Sequence, residues 1–325
     1  MPNYLVTGAA GFIGSAIVRE LLKRGAKVRG LDDFSTGKWE NIANLDGLDF
    51  REGSILESKD LESACAGVEC VFHEAALPSV PKSVADPLLT NSVNAQGTLN
   101  LLLAAREAGV RRVIYAASSS AYGDSEVLPK REDMLPNPIS PYAAQKLTGE
   151  YYMKVFASVY GLETVSLRYF NVFGPRQSAN SEYSAVLAKF ITQMLQGETP
   201  TIFGDGEQSR DFTYVDNAVE ANLLACAAEA KTVSGKVFNI ATGSCVSLNE
   251  TYKLLKNIIT GFNGAPRYES PRVGDVKYSV ADIKLAEQSL GYLPSVTFEE
   301  GLARTVNWYR EVMQPEMAQA QSTLS

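Results

Sequence analysis

The sequence is short of the residues from which most metal and hydrolytic sites are made. His73 is its only histidine, which excludes a zinc site with two or three imidazoles. The four cysteines, Cys65, Cys70, Cys226 and Cys245, form no C-x-x-C pair, and scattered cysteines in a reducing compartment behave as small buried hydrophobes. Disulfide and metal readings are therefore set aside. A Ser-His-Asp hydrolase would have to use His73 as its base, and no G-x-S-x-G nucleophile elbow accompanies it. General acid and base work then falls to tyrosine, lysine or carboxylates.

Positive charge is also in deficit, with 30 Lys and Arg against 37 Asp and Glu for a net charge of −7. Such a surface repels a phosphate backbone, so nucleic acid is not an expected partner. No run of 18 uncharged apolar residues occurs, and the start, Met1-Pro2-Asn3-Tyr4-Leu5-Val6, lacks a basic leader and reads as a strand. No membrane partner and a cytoplasmic location are expected. What remains is ordinary globular material, 325 residues with 45% apolar and 21% charged side chains, enough for two domains or one large α/β unit.

Short apolar runs alternate with helical spacing through the first 120 residues, the pattern of βαβ units around a parallel sheet. Tyr4 to Val6, Val28 to Leu31, Val71-Phe72 and Val113 to Ala116 are the strand candidates, and residues 12–24, 57–67 and 88–108 the helices between them. Gly25, Gly67 and Gly109 stand where helix ends favour positive φ. A fourth helix is marked by Ser140 as N-cap, Pro141 in its first turn and Gly161 after its end, followed by a strand at Thr164 to Tyr169. Beyond Gly174-Pro175 the pattern changes, with helices at 184–196 and 215–229 and an isolated strand from Val237. The expected fold class is α/β, a Rossmann-like doubly wound parallel sheet with a smaller discontinuous C-terminal substrate domain. Residues 1–174 form the sheet-bearing part, to which helix 215–229 and strand 237–242 return; 175–214 and 243–313 form the substrate part, and 314–325 a frayed polar tail.

Thr7-Gly8-Ala9-Ala10-Gly11-Phe12-Ile13-Gly14 follows the first strand and opens the first helix, the context of a dinucleotide fingerprint. Glycines there let backbone approach a pyrophosphate on the helix N-terminus. A ligand-free tight turn is the bland reading, but Asp32 closes the second strand 18 residues beyond Gly14, near the spacing of a ribose-binding acid. An acid at that place favours NAD over NADP. The second constellation is Tyr142-Ala143-Ala144-Gln145-Lys146, whose i,i+4 spacing puts phenol and ammonium on one helix face. A neighbouring ammonium is expected to lower the phenol pKa toward working pH. Y-x-x-x-K alone is weak; the order of glycine loop, acidic strand end, Ser118-Ser119-Ser120 and then Tyr142 and Lys146 strengthens it.

In these motifs and their order the chain resembles the extended branch of the short-chain dehydrogenase/reductase superfamily, and within it the nucleotide-sugar 4-epimerases. Further stretches carry the resemblance to about residue 312: His73-Glu74-Ala75-Ala76, Asn94-Ala95-Gln96-Gly97-Thr98, Arg168 to Arg176, Gly204-Asp205-Gly206 with Arg210-Asp211-Phe212, and Pro271-Arg272-Val273-Gly274-Asp275. The resemblance implies Tyr142 as catalytic base, Ser118 as its partner on the substrate hydroxyl, Ser120 as a second hydroxyl, and Lys146 on the nicotinamide ribose. It implies NAD contacts from Gly8, Gly11, Phe12, Ile13, Asp32, Ser35, Thr36, Gly37, Ile55, Ala75, Ala76, Tyr142 and Lys146. Ser54 departs from the family, which commonly has an acid there. On the UDP-sugar side it implies Arg210 and Arg272 at the pyrophosphate, Asn171 at the diphosphate or sugar, Asp275 at the ribose, Phe203 beside uracil, and Ser118 and Ser119 in the hexose pocket. His73 is read as structural.

The implied activity is that of an isomerase, an NAD-dependent UDP-sugar 4-epimerase working through a transient 4-keto sugar. A 4,6-dehydratase would carry an Asp-Glu pair where Ser119-Ser120 stand, and a non-catalytic NAD-binding regulator would usually lack the Tyr or Lys. Ser279, small where the family's pocket wall falls, leaves room for a 2-acetamido group. Pro78 to Ser83 resembles a stretch of epimerases that prefer N-acetylated sugars, so Ser79 and Lys82 are expected at the sugar, Lys82 beside a uronic carboxylate. UDP-N-acetylglucosamine or its uronic acid is the expected substrate in polysaccharide biosynthesis, and UDP-glucose/UDP-galactose the alternative. Helices 88–108 and 142–160 match those that pair across the dimer of this branch, so a homodimer is expected.

Overall fold

The structure, a computed structural model, describes residues 3–179, 186–271 and 278–323, with side chains described through Met313 in the last helix. Its central sheet contains β1 (Asn3–Thr7), β2 (Lys27–Asp32), β3 (Leu48–Glu52), β4 (Cys70–His73), β5 (Arg112–Ser118), β6 (Glu163–Tyr169) and a final strand, Lys236–Ile240. The spatial order is Lys236–Ile240, β6, β5, β4, β1, β2, β3, and every neighbouring pair is parallel. The chain steps outward from β1 in one direction and then from β4 in the other, so the sheet has its switch point between β1 and β4.

The apolar runs are continuous because both faces of the sheet are covered. Side chains alternate between faces along a strand. Val6, Phe72 and Ile114 accordingly pack with Ile17, Val18 and Leu21 of α1 (Phe12–Lys23). Leu5, Val71 and Val113 pack on the other side with Leu61 of α2 (Ser58–Cys65) and with the helices that follow. Each such leucine or isoleucine, fully buried, contributes roughly 1.5–3 kcal/mol.

Gly25, Gly67, Gly109 and Gly161 all have φ between 69° and 75° at helix ends, as expected. The second covering layer has a break that the apolar spacing of 88–108 did not reveal. It consists of α3 (Val80–Ala85), α4 (Pro87–Asn91), a π turn at Ser92–Gln96, and α5 (Gly97–Glu107). The wider turn buries Asn94, whose amide bonds Leu77 N and O at 2.8 and 3.2 Å and Gln145 Oε1 at 2.9 Å. That ties it to α6 (Pro141–Tyr160), where Ser140 Oγ accepts from Ala143 N at 3.2 Å.

β3 is a second departure. Leu48-Asp49-Phe50-Arg51-Glu52 alternates apolar and polar residues at the sheet edge, a short signal set between loops. The third departure is at the end, where the helix Phe298–Thr323 continues through the segment expected to fray.

Past Gly174 come α7 (Val186–Leu195), α8 (Val215–Ala227) and several two- and three-residue strands. α8 lies over α1, linked to it by Arg24 and Glu220 at 2.8 Å. Its last carbonyls, those of Ala225, Cys226 and Ala228, accept from buried Arg112 Nη1 at 2.7–2.9 Å. A small sheet joins Ser209–Arg210 to Val246–Ser247 and to Tyr278–Ser279. Cys65, Cys70 and Cys226 are buried, with the Cys70 and Cys226 sulfurs 3.0 Å apart, while Cys245 departs from expectation by being exposed. Among the described residues no helix is long and apolar enough to cross a membrane, and no group of three His, Cys, Asp or Glu gathers as a metal set.

Candidate active site

A cavity of about 590 Å³ opens at the carboxyl ends of the strands, across the switch point. Its floor is the turn between β1 and α1. Gly8 has φ +67°, and a Cβ on it would come 2.8 Å from the backbone nitrogen of Ala75. A Cβ on Gly14 would lie 2.0 Å from the Gly8 carbonyl oxygen. These two glycines therefore let β1, α1 and the end of β4 meet backbone to backbone. Gly11 is the N-cap of α1, with no side-chain cap and no acid in the first turn, so the free N–H groups of that turn remain for an anion.

Asp32 is buried at the end of β2. Its carboxylate accepts from Ala10 N at 2.9 Å and Phe34 N at 2.8 Å. Burial pushes its pKa up, and these backbone donors pull it back. A Cβ on Gly37 would meet Asp32 Oδ1 at 2.6 Å; Gly37 packs behind the acid and is not part of the cavity lining. Gly8, Gly11, Phe12, Ile13, Asp32, Ser35, Thr36, Ile55, Ala75 and Ala76 all line it. At the departure Ser54, the hydroxyl lies 3.3 Å from Asp33 Oδ2, and Asp33 is itself in the lining. The glycine cradle, uncapped helix and buried acid fit a dinucleotide.

Further along the cavity, the turn after β5 meets the start of α6. Ser120 Oγ donates to Ser118 Oγ at 2.8 Å, and Ser118 is hydrogen-bonded with the Tyr142 hydroxyl. Burial pushes the Tyr142 phenol up to about 12, Ser118 opposing. This corrects the expectation of a phenol lowered by Lys146. The i,i+4 spacing does bring both side chains to the cavity, but the buried Lys146 ammonium donates to the Ala116 carbonyl at 2.8 Å and stands 4.9 Å from the Tyr115 ring centroid. Burial lowers Lys146 to about 8, with Glu74 and Glu150 opposing. Gly149, one turn on, makes the approach of α6 to β5 possible, since a Cβ there would be 2.3 Å from the Tyr115 hydroxyl.

Two buried polar residues beside this cluster differ in their use. Glu74 lines the cavity, accepts from the Tyr169 hydroxyl at 2.8 Å, and is raised by burial to about 7. The His73-Glu74-Ala75-Ala76 motif by itself points to no role for Glu74. His73 lies between Thr7 Oγ1 at 2.8 Å and Thr98 Oγ1 at 3.0 Å. Burial lowers it to about 3. Because the Thr98 hydroxyl donates to Asn94 O at 2.7 Å, neutral His73 is assigned its proton on Nε2, a structural arrangement.

The remaining wall comes from the later chain. Asn171, at φ +38°, donates to the Asp211 carbonyl at 2.9 Å and lines the cavity with Ser119, Arg210 and Ser279. Ser279 stands opposite Arg210 in the small sheet. The simple alternative for Arg210, an ion pair with Asp211, does not fit: the Asp211 carboxylate is taken up by Thr242 N and Oγ1, Gly243 N and Ala281 N, at 2.7–3.2 Å.

Three expected substrate residues are not brought into this wall. Ser79 caps α3, its hydroxyl accepting from Lys82 N at 3.2 Å, and Lys82 is exposed. Phe203 ends the strand Thr201–Phe203 outside the lining. Arg272 and Asp275 lie outside the described residues. Lys130 and Gln177, which the sequence reading passed over, are in the lining; no local motif marks either.

The sequence model of the NAD dependent epimerase/dehydratase family matches residues 4–241. The chain belongs to that family. A UDP-glucose 4-epimerase of Mycolicibacterium smegmatis is 40% identical over 316 residues, 95% of this chain and 99% of the relative. Among solved structures, a UDP-glucose 4-epimerase of Thermotoga maritima with UDP-glucose is 42% identical, with a TM-score of 0.90 and 96% and 100% of the two chains covered. A UDP-N-acetylglucosamine 4-epimerase of Methanobrevibacter ruminantium with UDP-N-acetylmuramic acid is 41% identical, with a TM-score of 0.89 and coverage of 96% and 99%.

Proposed function

We propose that the chain is an isomerase, an NAD-dependent 4-epimerase of a UDP-sugar, and that its preferred sugar is UDP-N-acetylglucosamine or the corresponding uronic acid. The observation that carries the reading is one cavity holding Ser118, Ser120, Tyr142 and Lys146 between the Asp32 end and the Arg210–Ser279 wall. Residues 1–174, with helix 215–229 and strand 237–242, hold NAD; 175–214 and 243–313 hold the UDP-sugar.

Bound NAD supplies the hydride acceptor and then the donor for sugar C4, and in its oxidised form a positively charged ring. This chain's residues manage the proton. At about 12 the Tyr142 phenol is neutral near pH 7, suited to return a proton to a 4-keto sugar. Taking the proton from the 4-hydroxyl needs tyrosinate, which added positive charge beside the phenol favours. Ser118 links the phenol to Ser120 and fixes which substrate oxygen is addressed. Arg210 holds the diphosphate while the sugar presents each face. Ser119 and Ser120 offer hydroxyls and no carboxylate, which favours epimerisation over dehydration.

Ser279 supports the N-acetyl preference, since a small side chain opposite Arg210 leaves room at the hexose. UDP-glucose/UDP-galactose epimerisation is the second reading, favoured by two of the relatives. A homodimer through α4–α6 is part of the proposal. Leu88, Leu89, Leu103, Tyr151, Val155 and Val159 are exposed there, while Leu101, Leu102, Met153 and Phe156 are used in the core. Tyr142→Phe tests the chemistry: turnover of UDP-hexoses falls about 10²–10⁴-fold with NAD still bound, and wild-type rates in the variant overturn the assignment.

A further inference from the structure

Lys130 is a buried cation in the wall of the substrate cavity, with only 2% of its surface exposed. Its backbone is held from three directions. Lys130 N donates to Val280 O at 2.8 Å, and Lys130 O accepts from Asp282 N at 2.8 Å and from Asn239 Nδ2 at 3.0 Å. The residue is thereby fixed beside the strand that carries Ser279, with Ala281 as its bridge partner. Its ammonium donates to the Ser125 carbonyl. Among the described residues no carboxylate forms a salt bridge with it; Asp124 acts on it only at longer range.

A desolvated ammonium is costly unless an anion faces it. Among the described residues of the lining, the other two cations are differently placed. Lys146 is turned to Ala116 and Tyr115, and Arg210 lies on the small sheet at the Ser279 edge. Lys130 lines the cavity together with Ser120, Tyr122 and Gly123 of the turn that carries the reacting hydroxyls, and Asn239 ties that turn to Lys130, its Oδ1 accepting from the Tyr122 hydroxyl at 2.7 Å and its Nδ2 donating to the Lys130 carbonyl at 3.0 Å. Lys82 is exposed and is not among the lining residues. Resting on the UDP-sugar reading above, we propose that Lys130 binds the C6 carboxylate of a UDP-hexuronic acid and so makes the enzyme selective for acidic over neutral sugars.

The test measures kcat/KM for UDP-glucuronate and UDP-glucose, and Kd for both by calorimetry with NAD bound, in the wild type, Lys130→Met and Lys130→Arg. A charge-assisted bond of this kind predicts that Lys130→Met lowers the acidic-to-neutral ratio roughly 10- to 100-fold, whereas Lys130→Arg retains most of the preference. An equal loss for the two sugars marks a diphosphate contact and overturns the proposal. So does a wild type that epimerises UDP-glucose and neither binds nor converts UDP-glucuronate; the epimerase reading survives both results. If Lys130→Met fails to fold, Lys130→Arg together with the wild-type Kd ratio decides. Absence of turnover and of binding for every UDP-hexose overturns the epimerase reading itself and the proposal with it.

Discussion

Gly8 and Asp32 reach the cavity from the ends of neighbouring strands and Gly14 from the first turn of α1, and the contacts that fix them are to adjacent backbone: Leu31 O, Ala10 N and Gly8 O. Lys130, Arg210 and Ser279 reach the same cavity from loops and two-residue strands far apart in the chain. The first wall is built of backbone packed on backbone at Gly8 and Gly14, with the Asp32 carboxylate held by the N–H groups of Ala10 and Phe34. The second is held by hydrogen bonds between distant segments, so its side chains can be exchanged without disturbing the sheet. Cofactor binding is thus tied to the fold itself, while the residues proposed to choose the sugar sit on replaceable positions.

The largest effect expected from this contrast is Gly14→Ala. Its Cβ would stand 2.0 Å from the Gly8 carbonyl, so α1 must move away from β1. Destabilisation of about 1–3 kcal/mol or more is expected, together with weakened NAD binding. Thermal unfolding and a nucleotide titration check both; a variant with native stability and native NAD affinity would remove the backbone-packed half of the comparison.

Ser279→Tyr addresses the replaceable wall. Filling the space opposite Arg210 is expected to lower kcat/KM for UDP-N-acetylglucosamine relative to UDP-glucose by roughly 10–100-fold, with the melting temperature little changed. Parallel assays of the two sugars decide, and equal losses would detach Ser279 from sugar choice.

The same contrast governs how much the sequence disclosed. T-G-x-x-G-x-x-G with Asp32, and Tyr142 with Lys146, were legible because their geometry is local: a strand end, a helix start, one turn of spacing. The edge strand β3 was not, since five alternating residues between loops give little periodic signal. The π turn at Ser92–Gln96 was not, since one extra residue hardly alters apolar spacing. For Ser79 and Lys82, resemblance over Pro78 to Ser83 cannot tell a helix cap from a ligand contact: Ser79 caps α3 and Lys82 is exposed. Lys130 could be found only from tertiary pairing with Val280 and Asp282. The pKa of Tyr142 went the wrong way in the sequence reading because burial, which no spacing reports, outweighs the lysine four residues on.

The smallest expected effect is a shift in the basic limb of the pH profile, and its direction follows from Glu74 and Lys146. Burial lowers Lys146 from its free value to about 8. The folded ammonium is therefore disfavoured relative to the unfolded chain, and the unfolded state binds more protons from about pH 8 up to the free lysine pKa. Stability from this group rises with pH across that window. Activity is expected to run the other way, because the ammonium proposed to hold the nicotinamide ribose is present below about pH 8 and lost above it. Glu74, ionised above about pH 7, supports that ammonium. In Glu74→Gln the support is gone, so the fall of kcat on the basic side moves to lower pH, by roughly one unit. A profile of kcat from pH 6 to 10 for both proteins measures it. A shift toward higher pH, or none, would mean that the Glu74–Tyr169 pair serves packing at the end of β6 and does not set the charge on Lys146.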